Sequence, residues 1–310
     1  MEPLVSIVCD VYNHEPYLRD CLEGFVSQRF DFPFEILIHD DASKDHSADI
    51  IREYVEKYPA LFRPIYQTEN KYSTGISLWG AIQFPRVKGK YIALCEGDDF
   101  WTDPKKLQKE VEILEKDPTL MAVVTNAKVV DQHGATILAK KDDIVPGNKE
   151  GRYDLHSYFS KGHHYQTANV LFRNTHLEEI IRKINHTRNK YLGDWTLWAI
   201  LHSYGDFYYL DQVTSAYRIN PTSLTHTYDR IGRAKAHLPI CKALKEVLPK
   251  EYSRYLEEGG WMYFAIFKAY YQEKKYLHAT VELIICLIRY PKFTIEKIIE
   301  AIRYKNANSN

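Results

Sequence analysis

The chain has 310 residues, of which 45% are hydrophobic and 26% charged, ordinary proportions for a folded protein that exclude disorder as its dominant state. Lys+Arg and Asp+Glu balance at 41 each, which leaves no basic footprint for nucleic acid. No apolar run reaches the ~18 residues of a membrane-crossing helix, and Met1-Glu2-Pro3-Leu4-Val5 lacks the basic and apolar stretches of a signal peptide. The expected location is the cytoplasm, with the inner face of the membrane as an additional site of contact.

Val5-Ser6-Ile7-Val8-Cys9 opens the chain as a nearly continuous apolar run. Phe34-Glu35-Ile36-Leu37-Ile38, Tyr91-Ile92-Ala93-Leu94-Cys95 and Met121-Ala122-Val123-Val124 repeat it. Such runs suit strands buried on both faces of a parallel sheet. Helical periodicity lies between them: Leu18, Cys21, Leu22, Phe25 and Val26 share one face, and Ile50, Ile51, Tyr54 and Val55 another, after a start signal at Asp45-His46-Ser47. Leu107, Val111 and Leu114 follow Pro104, which suits a helix N-terminus. Strands alternating with helices predict an α/β fold with a largely parallel sheet.

Residues 131–165 are polar and contain glycine, which predicts loops with a short hairpin. Ala168–Phe172 and Phe207–Leu210 read as strands, Trp195–Ser203 as a helix, and everything from about Tyr228 as helical. The five cysteines are odd in number and three sit inside apolar runs, so buried free thiols are expected.

Ligands of an open α/β sheet bind outside the carboxyl ends of its strands. Three of the predicted strands end there in acidic or polar residues: Asp10-Val11-Tyr12-Asn13, His39-Asp40-Asp41-Ala42-Ser43 and Glu96-Gly97-Asp98-Asp99-Phe100-Trp101. An aspartate at one such place is most simply a cap for the next turn. Three at one edge repel one another and call for a cation or a hydrogen-bonding ligand.

In order and spacing, these segments resemble the opening of glycosyltransferase family 2, and the resemblance runs over roughly residues 4–225. It implies the GT-A fold, a Rossmann-like mixed sheet flanked by helices, over residues 1–227, with 228–310 as a helical C-terminal extension. It implies an inverting transfer from a nucleotide-sugar donor to a glycan or lipid-linked acceptor. Asp10, Tyr12 and Asp41 would hold the base, with Asp40 and Ser43 shaping the same turn. An aspartate can accept the N3–H of uracil, which makes a UDP-sugar the first expectation. Asp98 would contact the ribose and Asp99 would hold Mn²⁺ or Mg²⁺. Glu96 stands where the family pattern has Asp.

Asp194, in Leu192-Gly193-Asp194-Trp195, falls where the family places its catalytic base, and a helix cap is its plainer role. Trp195 or Trp198 would stack on the acceptor or pack in the core. Gln166-Thr167-Ala168-Asn169 would line the sugar site. Arg218 would pair with phosphate and His226 would complete the metal shell, near Ser223; His163-His164 reads as a loop feature. Ser77-Leu78-Trp79-Gly80 lacks an Arg common in the family.

In the C-terminal third, Trp261, Phe264, Phe267 and Tyr271, then Leu283–Ile288, then Lys292, Lys297 and Arg303, form either a membrane-surface element or a packed helical appendage. Two other functions compete. A sugar-nucleotide nucleotidyltransferase would carry a Gly-rich basic loop after the first strand, where this chain has Asp10-Val11-Tyr12-Asn13-His14-Glu15. A non-catalytic nucleotide-sugar-binding module would have no need of Asp98, Asp99 and Asp194 together.

Overall fold

The computed structural model describes residues 2–138, 149–161, 165–188, 193–220, 229–252, 256 and 260–307. The chain divides into two compact units, Met1–His226 and Thr227–Asn310.

In the first unit the elements follow in the order β1 (Val5–Val11), α1 (Leu18–Val26), β2 (Phe34–Asp40), α2 (Ser47–Lys57), β3 (Phe62–Tyr66), β4 (Tyr91–Leu94), β5 (Phe100–Trp101), α3 (Lys106–Lys116), β6 (Leu120–Val130), β7 (Thr136–Leu138), β8 (Gly151–Tyr153), α4 (Leu155–Lys161), β9 (Val170–Arg173), α5 (Leu177–Thr187), α6 (Gly193–His202) and β10 (Asp206–Arg218). The second unit holds α7 (Arg230–Val247), α8 (Gly260–Gln272), α9 (Tyr276–Arg289) and α10 (Pro291–Ala307).

The described strands form one mixed sheet in the order β3-β2-β1-β4-β9-β6-β10-β5, with β7 on β6 and β8 on β10. β1 pairs in parallel with both β2 and β4, whereas β9 runs antiparallel between β4 and β6. The chain therefore steps outward from β1 to β2 and β3, then returns to lay β4 on the other side of β1. That reversal opens a crevice at the carboxyl edge, where open α/β sheets bind ligands. The backbone ladder extends past the strand ends: Asp41 N–H donates to Val11 O at 2.9 Å and Gly97 N–H to Asp10 O at 3.1 Å.

The expected strands are buried on both faces, as their unbroken apolar runs require; Val5, Ile7, Ile36, Ile38, Tyr91 and Ala93 are fully buried in one core with Leu18, Phe25 and Leu107. All five cysteines are free and buried. The predicted hairpin is β6–β7, closed by Asp131, whose Oδ1 accepts from His133 and Ala135 N–H across Gly134 at φ +84°. β3 is a difference from the sequence reading. It is an edge strand interrupted by Pro64 and mostly half-buried, so it carries neither the apolar run nor the alternation of a strand. β10 extends well beyond the expected Phe207–Leu210, because a register shift between Tyr209 and Val213 carries the strand past its exposed polar middle.

One buried ion pair lies under the site. Lys106 and Glu110, one turn apart on α3, are both fully buried and hydrogen-bonded to each other, with Lys106 Nζ 5.4 Å from the Trp101 ring. Burial pushes the Glu110 carboxyl up to about 7 against the pull of Lys106. Removing one partner of such a pair leaves an uncompensated charge, whereas removing both for apolar residues is near neutral. Lys106→Met should therefore cost about 3–5 kcal/mol in urea unfolding, with Lys106→Met/Glu110→Leu regaining most of it. A double variant as unstable as the single one would show that the pair stabilises the fold.

Candidate active site

The two loops after β1 and β2 are cross-stitched into one wall. Asn13, held at φ +56°, donates its N–H to Ser43 Oγ at 2.9 Å, and its Oδ1 accepts from Lys44 N–H at 2.8 Å. His14 N–H donates to Ser47 Oγ, Glu15 N–H to Asp45 Oδ2, and His46 N–H to Glu15 Oε2. Polar side chains here satisfy backbone groups of the opposite loop, so neither loop is set without the other. Asp40 turns the second loop by accepting from Ser43 N–H at 3.3 Å, and its Oδ1 finds no partner among the described residues. Tyr12 is 40% exposed at the rim of the wall.

Behind the wall, Asp10 is aimed by two buried residues. His39 Nδ1 lies 3.0 Å from Asp10 Oδ1, and Gln83 Nε2 donates to the same oxygen at 3.1 Å. Gln83 also donates to the carbonyls of Cys9 and Leu37, bridging β1 and β2. The Nε2 of His39 stands 4.0 Å from Asp41 Oδ1.

Asp41, expected to meet the base directly, is placed differently. It is 1% exposed, and its two carboxylate oxygens accept from the N–H groups of Lys71 and Tyr72 at 2.7 and 2.9 Å. It anchors the 70–74 turn, in the way a short acidic side chain at a strand end serves nearby unsatisfied amides.

The Glu96–Asp99 turn closes with Asp99 N–H on Glu96 O at 3.1 Å. A Cβ on Gly97 would lie 2.8 Å from His14 Nδ1 and 3.0 Å from Val11 Cγ2, so only glycine lets this turn approach the first loop. Beneath it the thiols of Cys21 and Cys95 both donate to Glu96 O at 3.6 Å. Burial pushes the Cys95 thiol up to about 11 and that of Cys21 well above its usual value.

Asp98 is half-buried, with Oδ2 accepting from Asn220 Nδ2 at 3.0 Å. Asp99 is 4% exposed, with Oδ1 accepting from Arg218 N–H at 2.8 Å.

Arg218, expected to pair with phosphate, is held by protein groups. Its side chain is 2% exposed and makes four hydrogen bonds to protein oxygens. Nε donates to Asp98 O, Nη1 to the carbonyls of Asp131 and Gln132, and Nη2 to Asp20 Oδ2 at 2.7 Å. The Tyr17 and Phe100 rings lie 4.9 and 5.0 Å from the guanidinium carbon. Arg218 thus fixes the backbone that presents Asp98 and Asp99.

Glu96 is the electrostatic centre of the edge. Its side chain is exposed to solvent at the carboxyl edge of the sheet. The packing of protein around it, followed by the charges of Asp98, Asp194 and Asp10, pushes its carboxyl up to about 8. Asp99 is held well above the carboxylate range by burial and by Asp98, against the pull of the Arg218 N–H. Three of the residues expected from the sequence are thereby gathered around one that was given no role of its own. The signal for Glu96 lay in the motif itself: it is the acidic residue nearest the end of β4.

Asp194 reaches this cluster from α6, where its Oδ1 accepts from Trp195 N–H at 2.7 Å. An aromatic block holds the helix: Trp198 Nε1 donates to Tyr165 O at 3.2 Å, Tyr158 OH donates to Trp195 O at 3.0 Å, and His202 stacks on Phe207 at 3.7 Å. Trp195 and Trp198 are 8% and 1% exposed, so both pack in the core. Thr167, Ala168 and Asn169 are buried too, with Ala168 O accepting from Trp101 Nε1 at 3.0 Å; only Gln166 of that segment stays half-exposed.

The oxygen donors of Asp98 and Asp99 suit a hard divalent cation, and their mutual repulsion would be relieved by one. Among the described residues, however, no group of three or more His, Cys, Asp or Glu side chains could hold a metal alone. His226, Ser223, His163, His164 and Leu192 lie outside the described residues.

Residues 6–181 match the sequence profile described as glycosyl transferase family 2. An uncharacterized protein of Mycobacterium tuberculosis is 44% identical over 131 residues, which are 42% of this chain and 37% of that protein. An uncharacterized glycosyltransferase of Rickettsia prowazekii is 25% identical over 229 residues, 73% of this chain and 67% of its relative. This chain therefore matches little more than a third of the mycobacterial protein's length.

Among solved structures, Staphylococcus aureus TarS in complex with UDP aligns at a TM-score of 0.57 and 15% identity, over 83% of this chain and 70% of that one. The mannosyltransferase PcManGT from Pyrobaculum calidifontis, in complex with GDP-Man and Mn²⁺, aligns at 0.60 and 16%, over 98% and 81%. At such identities these likenesses speak for the fold, which is GT-A. With its mixed sheet, its acidic carboxyl edge and a family match over more than half its length, the chain belongs to glycosyltransferase family 2.

Proposed function

We propose that this glycosyltransferase moves a sugar from a nucleotide-diphosphate donor, a UDP-sugar first, to a hydroxyl of a glycan or lipid-linked acceptor, with inversion at the anomeric carbon. The convergence of Asp10, Asp98 and Asp194 on Glu96 carries this reading, because it joins a nucleotide-side carboxylate to a helix-borne base across one cleft. The structural neighbours TarS and PcManGT, with UDP-GlcNAc and with GDP-Man and Mn²⁺, support a nucleotide-sugar donor. Residues 1–227 would be the catalytic domain and 228–310 its helical extension.

The residues divide the work. Asp10, steadied by His39 and Gln83, and the exposed Tyr12 face the base, with Ser43 and Asp40 shaping the adjoining turn. Asp41 acts through the 70–74 turn that it anchors. Asp98 meets the ribose. Asp99, together with Asp98, would hold Mn²⁺ or Mg²⁺, and His226 would add a ligand. When bound, such a cation supplies charge neutralisation to the diphosphate leaving group. Asp194 accepts the proton of the acceptor hydroxyl as its oxygen bonds to the anomeric carbon, and the bond from that carbon to the diphosphate oxygen breaks. Because a single displacement attacks from the face opposite the leaving group, the configuration inverts. The N–H of Trp195 keeps the Asp194 carboxylate oriented for this.

A screen of UDP-, GDP- and dTDP-sugars with Mn²⁺, reading nucleotide release, should single out a UDP donor; release from GDP-Man alone would shift the base assignment. Asp99→Ala should lower metal-dependent turnover by roughly 10²-fold or more, and unchanged turnover would remove the metal from Asp99. Asp194→Asn should leave UDP affinity within about twofold while kcat falls by about 10²–10⁴-fold, the span of a lost general base. Transfer that survives this change would place the base elsewhere.

A further inference from the structure

Helix α9 carries four large apolar side chains on its exposed face. Its fully buried side chains are small: Ala279 is 2% exposed and Cys286 fully buried, the latter accepting from Thr294 Oγ1 at 3.0 Å, while Leu283, Ile285 and Leu287 are half-buried. Leu277, Val281, Ile284 and Ile288 are 78, 49, 49 and 76% exposed. Their spacing of four, three and four residues sets them within an arc of about 60° on a helix turning 100° per residue. Ile295 and Ile299, also exposed, lie a turn apart on α10. Single exposed apolar residues are ordinary, but a continuous stripe marks a surface that is covered in use.

Of the apolar face expected from the sequence, Leu283–Ile288 supplies Ile284 and Ile288 to this stripe, whereas the part on α8 packs inward. On α8, Met262 and Ile266 are buried and Phe264 and Phe267 half-buried, with Ile266, Ala269 and Tyr270 packed against Ile231 and Ala279. Tyr271 is exposed.

The charge around the stripe says what covers it. Residues 227–310 carry fifteen Lys and Arg against nine Asp and Glu, whereas the rest of the chain has an acidic surplus of the same size. Within α9 the acidic residue is Glu282, half-buried and off the stripe. Lys274 and Lys275 stand before its first turn, with Glu273 beside them, and Arg289 and Lys292 bracket its end. Two copies meeting through this face would bring like charges together, whereas an anionic bilayer offers hydrocarbon to the stripe and phosphate to its basic ends. At about 21 Å, the length of its 14 residues, α9 falls short of a ~30 Å hydrocarbon core, so it lies along a membrane and does not cross it. No described helix is long and apolar enough to cross.

We propose that the outer face of α9, continued by Ile295 and Ile299 on α10, docks on an anionic lipid bilayer surface. The inference does not rest on the donor, the acceptor or the catalytic residues assigned above.

The test is co-sedimentation of the full chain with vesicles of phosphatidylcholine alone and of phosphatidylcholine mixed with phosphatidylglycerol, at low and high salt. The chain should partition onto the mixed vesicles and less onto neutral ones, with binding weakened by salt. Leu277→Ser/Ile284→Ser/Ile288→Ser should weaken partition by at least about tenfold, with far-UV circular dichroism and Tm unchanged because these side chains are exposed. Lys274→Gln/Lys275→Gln/Lys292→Gln should abolish the preference for anionic lipid. Equal partition of the serine variant would overturn the proposal, as would no partition at low salt. So would a dimer in sedimentation velocity that the serine variant converts to monomer, since the stripe would then be covered by a second copy.

Discussion

Carboxylates gathered at one edge of a sheet repel one another, and the local structure around the cleft is organised to hold them there. Each acid is presented by a backbone that something else fixes. Gly97 lets the Glu96–Asp99 turn press against the first loop, and Arg218 ties that turn, through Asp98 O, to the carbonyls of Asp131 and Gln132 and to Asp20. Gln83 and His39 orient Asp10, and the aromatic block around Trp198 carries Asp194 in from the far side. Burial first, and then the repulsion that remains, raises the carboxyls of Glu96 and Asp99 above their ordinary range. A site that is costly without a positively charged ligand is one preorganised for it.

The acidic motifs divide between presenting and being presented. Asp41, Asp45 and Asp131 spend their oxygens on backbone amides and so build turns. Asp10, Asp98 and Asp194 each make polar contacts and still contribute charge to the cleft. Arg218 belongs with the first group, since its guanidinium serves the loop and not the solvent. The capping residues at this edge hold the others in place.

Much of this could be read from the residues because the signals were strong. β1, β2 and β4 announce themselves as unbroken apolar runs, and a strand's end is also where its motif sits. β3 escaped because Pro64 and its half-buried face erase the pattern, and the length of β10 escaped because a bulge breaks it at Tyr209–Val213. In the site, the strand ends pointed to Asp10, Asp98 and Asp99 and the family resemblance to Asp194, but which neighbours lie within hydrogen-bonding distance of each depends on the fold. Gln83 and Arg218 meet their partners only through the folded sheet, with separations of 73 and 120 residues between Gln83 and Asp10 and between Arg218 and Asp98. Nothing local in the sequence encodes those meetings.

The thiols of Cys21 and Cys95 under the Glu96 carbonyl give the cleft floor a built-in clock. Buried and held in the protonated form, they are shielded from alkylating reagents while the floor is closed. Their rate of modification in the native protein then measures how often α1 and the end of β4 part company, a local opening that global unfolding curves average away. A donor that braces the Glu96–Asp99 turn would slow that clock without touching either sulfur.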